Sequence, residues 1–247
     1  MDKIRISAVS YTNTKPFIYG LQHSGITEKI ELSLDNPTDC AQKLIDDVVD
    51  IGLIPVAATL SLPVWEIVAD YCIGAVGAVN SVFVFSNCDI HEVTTLQLDP
   101  QSRSSNNLAK VLLKNFWKTV PELVVNADDY SESTDATTAF VQIGDRTFGK
   151  KEKYPFVYDL AEEWQKFTGL PFLFAAWIAN KPIPKEFMAE FNHALKFGLD
   201  HRDDLLKELP TRPDFDVEDY LMHKLNFDLT EDKKKALYLF LEYIKAL

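Results

Sequence analysis

The sequence of 247 residues predicts an α/β fold of two lobes, with two sheets joined by two crossover strands and a helical C-terminal tail. Short apolar strands alternate with amphipathic helices from residue 4 to about residue 180, which indicates parallel sheets covered on both faces. Two long apolar strands, near residues 80–85 and 172–179, bracket a middle segment with its own strand-helix alternation. From Pro184 onward the pattern is helical only.

These observations predict the limits of the two lobes. We expect a discontinuous first lobe of residues 1–83 and 180–247 and a second lobe of residues 84–179, with the terminal helices packed back onto the first. Ligands of such folds bind at the carboxyl ends of the strands, here in the cleft between the lobes.

The first lobe opens with a strand, because Ile4, Ile6 and Ala8 alternate as one apolar face. A helix is expected to begin near Pro16, after the capping residues Asn13 and Thr14. Strands are predicted over residues 30–34 and 50–56, and over the β-rich runs 67–68 and 75–85. Between the first two of these strands, Pro37 opens a helix with apolar residues at helical spacing: Ala41, Leu44, Ile45 and Val48.

In the middle segment, a strand over residues 96–98 leads into a serine turn at residues 102–105 and then into an amphipathic helix. Residues 124–125 and 139–143 are predicted as two more strands. Asp159 is expected to cap a helix that Gly169 stops, and residues 171–179 form another apolar strand. The tail is predicted as helices around residues 187–195, 220–225 and 237–244.

Composition excludes several classes of partner. The net charge of −12 argues against nucleic acid or an anionic membrane. Three cysteines without CxxC spacing indicate a reducing compartment and neither a disulfide framework nor a zinc site. Since no apolar run reaches the length of a membrane span and a strand starts within five residues of Met1, we expect a cytoplasmic protein without a secretory leader.

Two turns that follow strands are candidates for holding anions. Residues 10–17 and residues 102–105 each place polar side chains before a helix, whose first N–H groups favour negative charge. Each turn alone is better explained as an ordinary helix N-cap, but one turn in each lobe favours a ligand with two negative groups. Arg103 or Lys15 could add a charge-assisted contact or could be solvated.

Other signals are weaker or absent. The GxSxG, P-loop, GxGxxG and HExxH motifs do not occur, and the charged surroundings of all five histidines predict surface positions, which argues against a His general base. In residues 74–82, two interpretations stay open: a bulge with Asn80 closing a turn, or Ser81 pointing into the cleft. Thr168 belongs to a helix stop that could border the site.

These segments resemble a known family. Residues 10–17, Ser-Tyr-Thr-Asn-Thr-Lys-Pro-Phe, resemble the Tyr-Leu-Asn-(small)-x-Pro-Phe signature of chorismate dehydratase in the futalosine route to menaquinone. Residues 50–56, 77–82 and 102–105 resemble its Asp-x-x-Leu-x-Pro-Val, Gly-x-Val-x-Ser-Val and Ser-Arg-Thr-Ser motifs, and residues 158–172 resemble its Asp-Leu…Trp…Thr-Gly-Leu-Pro-Phe run. Thr12 and Ser104 replace the usual Leu and Thr; we expect the first to be a wall position, and the second keeps its hydroxyl.

The resemblance implies a type II periplasmic-binding-protein fold turned into a cytoplasmic lyase. It implies removal of water from chorismate, a small-molecule dicarboxylate, to give 3-[(1-carboxyvinyl)oxy]benzoate without metal or organic cofactor. Asn13 and Ser81 are carried over as the catalytic residues. The residues expected to bind substrate are Tyr11, Thr14, Asn80, Ser102, Arg103, Ser104, Ser105 and Thr168.

The proton acceptor and the alternatives stay open at this point. The motifs contain no His or obvious Glu base, so the enolpyruvyl carboxylate of the substrate could itself take the proton. One alternative is a solute-binding protein or cytoplasmic sensor that holds an aromatic carboxylate without chemistry, and the former should carry an export signal. Another is the later naphthoate-forming lyase of the same pathway, for which we expect a positioned base such as His.

Overall fold

The computed structural model describes residues 3–125 and 135–247. Its strands, in chain order, are β1 (Ile4–Val9), β2 (Ile30–Asp35), β3 (Ile51–Pro55), β4 (Glu66–Ala75), β5 (Val82–Ser86), β6 (Thr95–Gln97), β7 (Glu122–Val124), β8 (Thr138–Ile143), β9 (Phe156–Asp159), β10 (Phe172–Ala179) and β11 (Asn226–Asp228). They form one sheet in the order β11-β4-β10-β3-β1-β2 and a second in the order β7-β6-β8-β5-β9. The predicted two-sheet α/β architecture is confirmed.

Both sheets are mixed, so the prediction of parallel sheets is wrong for part of each. β1 is parallel to β2 and β3, but β10 runs antiparallel to β3 and to β4. In the second sheet β6 is parallel to β7 and β8, whereas β5 is antiparallel to β8 and β9. The reason lies in the connections, because β4 leads out of the first sheet and β10 leads back into it.

The chain crosses between the sheets through residues 76–81 and again through residues 169–171. The long apolar run predicted over residues 75–85 is therefore interrupted: Gly77 and Asn80 take left-handed backbone conformations, with φ of 79° and 59°. β10 pairs within the first sheet, whereas the predicted lobe limits counted it with the second lobe. Those limits, 1–83 with 180–247 and 84–179, remain a prediction.

Helices cover the sheets much as the sequence predicts. Their bounds are α1 (Lys15–His23), α2 (Pro37–Ile45), α3 (Arg103–Leu112), α4 (Leu160–Thr168), α5 (Lys185–Asp200), α6 (Arg202–Glu208), α7 (Val217–Asp219) and α8 (Glu231–Lys245). The tail is not helical only, since β11 pairs antiparallel with β4 at the edge of the first sheet. Val48, predicted on α2, lies beyond its end and is exposed.

The N-terminal part of the first lobe is anchored by a close helix pair. α1 packs against α5, where Gly20 and Gly198 let the two backbones meet; a Cβ at Gly198 would lie 1.8 Å from the Pro16 carbonyl oxygen. The ring of Phe17 packs edge-on against Trp177 of β10 at 5.8 Å between centroids. The start of α1, which follows the first predicted site turn, is therefore fixed by backbone contact.

The apolar residues of both sheets form a buried core. Trp164 of α4 and Trp177 of β10 are fully buried in one apolar cluster that extends through both sheets. Among the helices in the described part of the chain, none combines the length and the hydropathy needed to span a bilayer.

Candidate active site

A pocket opens between the two sheets, at the C-terminal ends of β1, β3 and β8, as expected for a ligand site of this fold. It contains about 580 Å³ of atom-free space, part of which is continuous with solvent. Its walls are largely apolar and include Leu53, Ile73, Ile143 and Phe174. The predicted site residues that line it are Tyr11, Asn13, Thr14, Ser81, Ser102, Ser104 and Ser105.

The first predicted turn differs in detail from the expectation. A 3₁₀ turn, Thr12–Thr14, precedes α1, and neither Asn13 nor Thr14 caps the helix with its side chain. Instead the Thr14 hydroxyl donates to the Asn13 Oδ1 at 3.1 Å. The prediction of side-chain caps here is wrong because the 3₁₀ turn already satisfies the first N–H groups of the helix, as in the Lys15 N–H donating to the Thr12 carbonyl oxygen.

Asp145, which follows β8, spans the cleft to this turn. The Thr12 N–H lies 3.0 Å from one carboxylate oxygen of Asp145, and the Thr12 hydroxyl donates to the other at 2.9 Å. An N–H of the turn that was expected to hold a ligand anion, that of Thr12, therefore donates to the Asp145 carboxylate of the protein. Thr12 is therefore a polar contact between the lobes and not the wall position that we expected.

The helix cap predicted at the second turn is confirmed. The Ser102 Oγ caps α3 by accepting the Ser105 N–H at 3.1 Å. The Ser104 Oγ accepts the Ala57 N–H, also at 3.1 Å, and so links α3 to the segment after β3. Both hydroxyls accept a bond from the protein, which leaves their protons free to be donated to a ligand.

Ser81, which also lines the pocket, shows the same pattern. Its Oγ accepts a hydrogen bond from the Tyr220 hydroxyl at 2.8 Å, so its proton is also available. Asn80, one residue earlier, closes the turn in the left-handed region, and its N–H donates to Asp159 at 2.7 Å. Asn80 therefore closes a turn and Ser81 lines the pocket, whereas the bulge of the first interpretation stays a prediction.

Tyr11 closes the pocket against the second lobe. Its hydroxyl donates to the Gln101 Oε1, and its ring rests on Gly144, where a Cβ would lie 2.6 Å from the ring. Burial raises the pKa of the Tyr11 phenol, an effect that the neighbouring Arg146 opposes. Arg146 is itself paired with the fully buried Asp99. The hydroxyl of Tyr11 stays neutral and acts as a donor.

Three predicted site residues lie outside this pocket. The Arg103 guanidinium donates to the Gln42 Oε1 at 3.2 Å, and the Thr168 hydroxyl donates to the Trp164 carbonyl at 2.9 Å within its own helix. The Asn80 side chain accepts from Lys151 near the surface. Lys15 also lies outside, so none of the described residues that line the pocket carries an ionised side chain at neutral pH.

Gln101, Asp145 and Tyr220 contact residues of the site and were not predicted from the sequence. Asp145 and Gln101 contact the first turn, and Tyr220, from the tail predicted only as a helix, contacts Ser81. These contacts join residues 90 or more positions apart, and no local motif marks them. Of the histidines, four are exposed and His201 is half-buried, and the pocket lining contains none of the five.

The fold and the pocket define a class: two-lobed proteins of the periplasmic-binding-protein fold, with a ligand site between the sheets. Within it, the chain belongs to the family described as Menaquinone biosynthesis, whose sequence profile matches residues 4–246. The chain is also similar to a chorismate dehydratase from Campylobacter jejuni, with 28% identity over 164 residues. That alignment covers 64% of this chain and 62% of the relative, less than two thirds of its length. The predicted resemblance is confirmed.

Solved structures agree on the fold. A protein from Archaeoglobus fulgidus superimposes with a TM-score of 0.74 and 16% identity, covering 99% of this chain and 97% of its own. A Candida albicans protein, described as having the generic periplasmic binding protein structural fold, gives a TM-score of 0.67 with 11% identity over 100% of this chain and 91% of its own. Both support the two-lobed architecture and, at these identities, nothing finer.

Proposed function

We propose that this protein is a lyase that removes water from chorismate to give 3-[(1-carboxyvinyl)oxy]benzoate, a step of menaquinone biosynthesis. One observation supports this above others: hydroxyl groups from both lobes line one pocket, and each accepts a bond from the protein so that its proton can face a ligand. Membership of the menaquinone family supports the pathway, and the likeness to a chorismate dehydratase supports the choice of this step.

The chemistry of the pocket suits a dicarboxylate with an apolar ring. The enolpyruvyl carboxylate would lie at the N-terminus of α3, where Ser102, Ser104 and Ser105 provide hydroxyl donors and the helix dipole favours negative charge. The ring would pack on the apolar wall that includes Ile73 and Phe174. Uncharged donors bind a carboxylate without the desolvation cost of a buried cation.

The reaction places growing negative charge at the ring carboxylate. Loss of the proton from the ether-bearing ring carbon gives an extended dienolate. The neighbouring hydroxyl then leaves and takes up the abstracted proton to form water, and the ring becomes aromatic. Donors that are already oriented toward the carboxylate lower the barrier, because they stabilise the charge as it develops. Asn13 and Ser81 take this role in the proposal, since both line the pocket and belong to segments other than the serine turn.

The proton acceptor in this proposal is the substrate. The described lining of the pocket includes no His, Asp or Glu, and the neighbouring carboxylate of Asp145 is occupied by Thr12. The enolpyruvyl carboxylate is joined through its ether oxygen to the carbon that loses the proton, so it can reach that proton within the same molecule. Such an intramolecular base gains from proximity in the way that a positioned side chain would.

Incubation of the purified protein with chorismate tests the proposal directly. We expect the diene absorbance of chorismate to fall and an aromatic product to appear, which NMR identifies as the 3-substituted benzoate. Binding of chorismate without turnover would instead favour the sensor or carrier alternative. A failure to bind or convert chorismate would overturn the proposal, and the naphthoate-forming lyase would then be the next activity to assay.

Asp145→Ala is expected to weaken the binding of the substrate between the lobes. The change removes the carboxylate that accepts two bonds from Thr12 across the cleft, so the open form gains population. We expect KM for chorismate to rise about tenfold, roughly the loss of one bond to a charged group, with a much smaller change in kcat. Glu92→Ala, which removes an exposed carboxylate, serves as the control. An unchanged KM and an unchanged radius of gyration by X-ray scattering would show that the contact does not hold the cleft.

A further inference from the structure

Tyr220 comes from the C-terminal tail, where the sequence motifs of the family are sparse. It begins a π-helical turn, Tyr220–Lys224, between α7 and β11. Its side chain is 1% exposed, although the turn itself lies near the surface. Because π-helical turns are rare and frequently occur at functional sites, the position of this residue calls for an explanation beyond packing.

The hydroxyl of Tyr220 joins two of the pocket residues. It donates to the Ser81 Oγ at 2.8 Å, and the side chain of Asn13 is also within hydrogen-bonding reach of it. Burial raises the pKa of the Tyr220 phenol well above its usual range, although these two bonds oppose the shift. The hydroxyl therefore keeps its proton and remains a donor at any pH at which the protein works.

The ring of Tyr220 is held by two other aromatic side chains. Phe148, which follows β8, and Phe215 of the tail contact it edge-on, with centroids 5.5 and 5.3 Å away. Phe148 and Phe215 are themselves stacked at 3.6 Å. Side chains from both lobes thus fix the direction in which the Tyr220 hydroxyl points.

A serine hydroxyl has one proton and can rotate about its C–O bond. When the Ser81 Oγ accepts from Tyr220, that proton is left to point elsewhere, and Ser81 lines the pocket. Without Tyr220 the Ser81 hydroxyl could rotate and donate its hydrogen bond to another group of the protein. A donor that must reorient during the reaction stabilises the developing charge less than one already in place.

We propose that Tyr220 is a positioning residue, which orients the Ser81 hydroxyl toward the ring carboxylate of the substrate and acts on the reaction through Ser81. The inference deepens the proposed function and rests on it. It assigns a role in the site to the tail.

A double-mutant cycle tests the inference. Tyr220→Phe removes only the hydroxyl, and we expect it to lower kcat about tenfold, the typical worth of one hydrogen bond, while KM changes less than threefold. Ser81→Ala should lower kcat further. The double variant should lose far less turnover than the sum of the two single losses, because the route from Tyr220 through Ser81 is then gone. Tyr158→Phe removes a half-buried hydroxyl that accepts a bond from the Ile90 N–H, and because Tyr158 does not line the pocket this variant should retain wild-type turnover.

Additive losses in the cycle, or wild-type kcat for Tyr220→Phe, would overturn the inference. The wild-type protein is assayed first, so a failure of the proposed function appears as absence of turnover before any variant is made. In that event the same four proteins are compared by their dissociation constants for chorismate and 3-hydroxybenzoate, with the same non-additivity expected. If Tyr220→Phe does not fold, 3,5-difluorotyrosine at position 220 keeps the hydroxyl but acidifies it. Turnover should then be normal at neutral pH and fall at a lower pH than in the wild type, and an unchanged pH profile would contradict the proposal.

Discussion

Asn13→Ala should lower kcat for chorismate by about 10²–10³-fold, the usual cost of removing one donor to a developing oxyanion. The Asn13 side chain lines the pocket and is held by the Thr14 hydroxyl at 3.1 Å, so it is oriented before the substrate arrives. KM should change less than threefold, since the walls and the serine turn remain. Steady-state kinetics by loss of chorismate absorbance measures both constants.

Two further variants sharpen this test. Asn13→Asp keeps the shape but places a negative charge beside the growing one, and we expect at least as large a loss of kcat. Asn115→Ala removes an amide that donates to the Val111 carbonyl of its own helical turn, and it should leave kcat unchanged. Near-normal turnover of Asn13→Ala would refute the assigned role. A loss confined to KM would make Asn13 a binding residue only.

Gly198→Ala should lower the free energy of unfolding by about 3 kcal/mol or more, at the upper end of overpacking effects. The new Cβ would lie 1.8 Å from the Pro16 carbonyl and 2.7 Å from the Gly20 N, both backbone atoms that no rotamer change can move away. α1 and α5 must therefore separate. Since α1 begins next to Asn13, we expect kcat to fall as well.

Urea unfolding of Gly198→Ala and Gly25→Ala side by side checks the steric cause. Gly25 has φ of 83° and nothing within 4 Å of an added Cβ, so its substitution carries only the conformational cost, about 1–2 kcal/mol. Equal losses of unfolding free energy in the two variants would mean that α1 and α5 can move apart at little cost. A large loss at position 198 with unchanged kcat would separate this helix pair from the geometry of the site.

Local patterns predicted much of the secondary structure. Alternation gave β1 and helical spacing gave α2, and the caps predicted at Ser102 and Asp159 are confirmed by bonds from the N–H groups that follow them. β9 and β11 were missed, although the similarly short β6 and β7 were predicted. β11 is Asn-Phe-Asp, and Asn and Asp are depleted in strands, whereas β9 runs directly into the helix cap at Asp159. The direction of β10 was also missed, because strand direction depends on which sheet the returning chain joins.

The parts of the site that lie within short continuous motifs could be predicted from the sequence. Ser104 and Asn13 were placed in one cleft from their separate turns, and both line the pocket. The contact of Thr12 with Asp145 joins residues 133 positions apart, and that of Ser81 with Tyr220 joins residues 139 positions apart. Such contacts depend on how the lobes and the tail pack together. The sequence around either residue does not reveal its partner.

The order of strands in the first sheet has a consequence for how the protein is made. β10 lies between β3 and β4, so the sheet has a gap at its centre until residues 172–179 have been synthesised. The second sheet uses only residues 82–159, a continuous stretch that leaves the ribosome earlier. Synthesis from the N-terminus therefore favours folding of the second sheet before β10 is available to complete the first sheet.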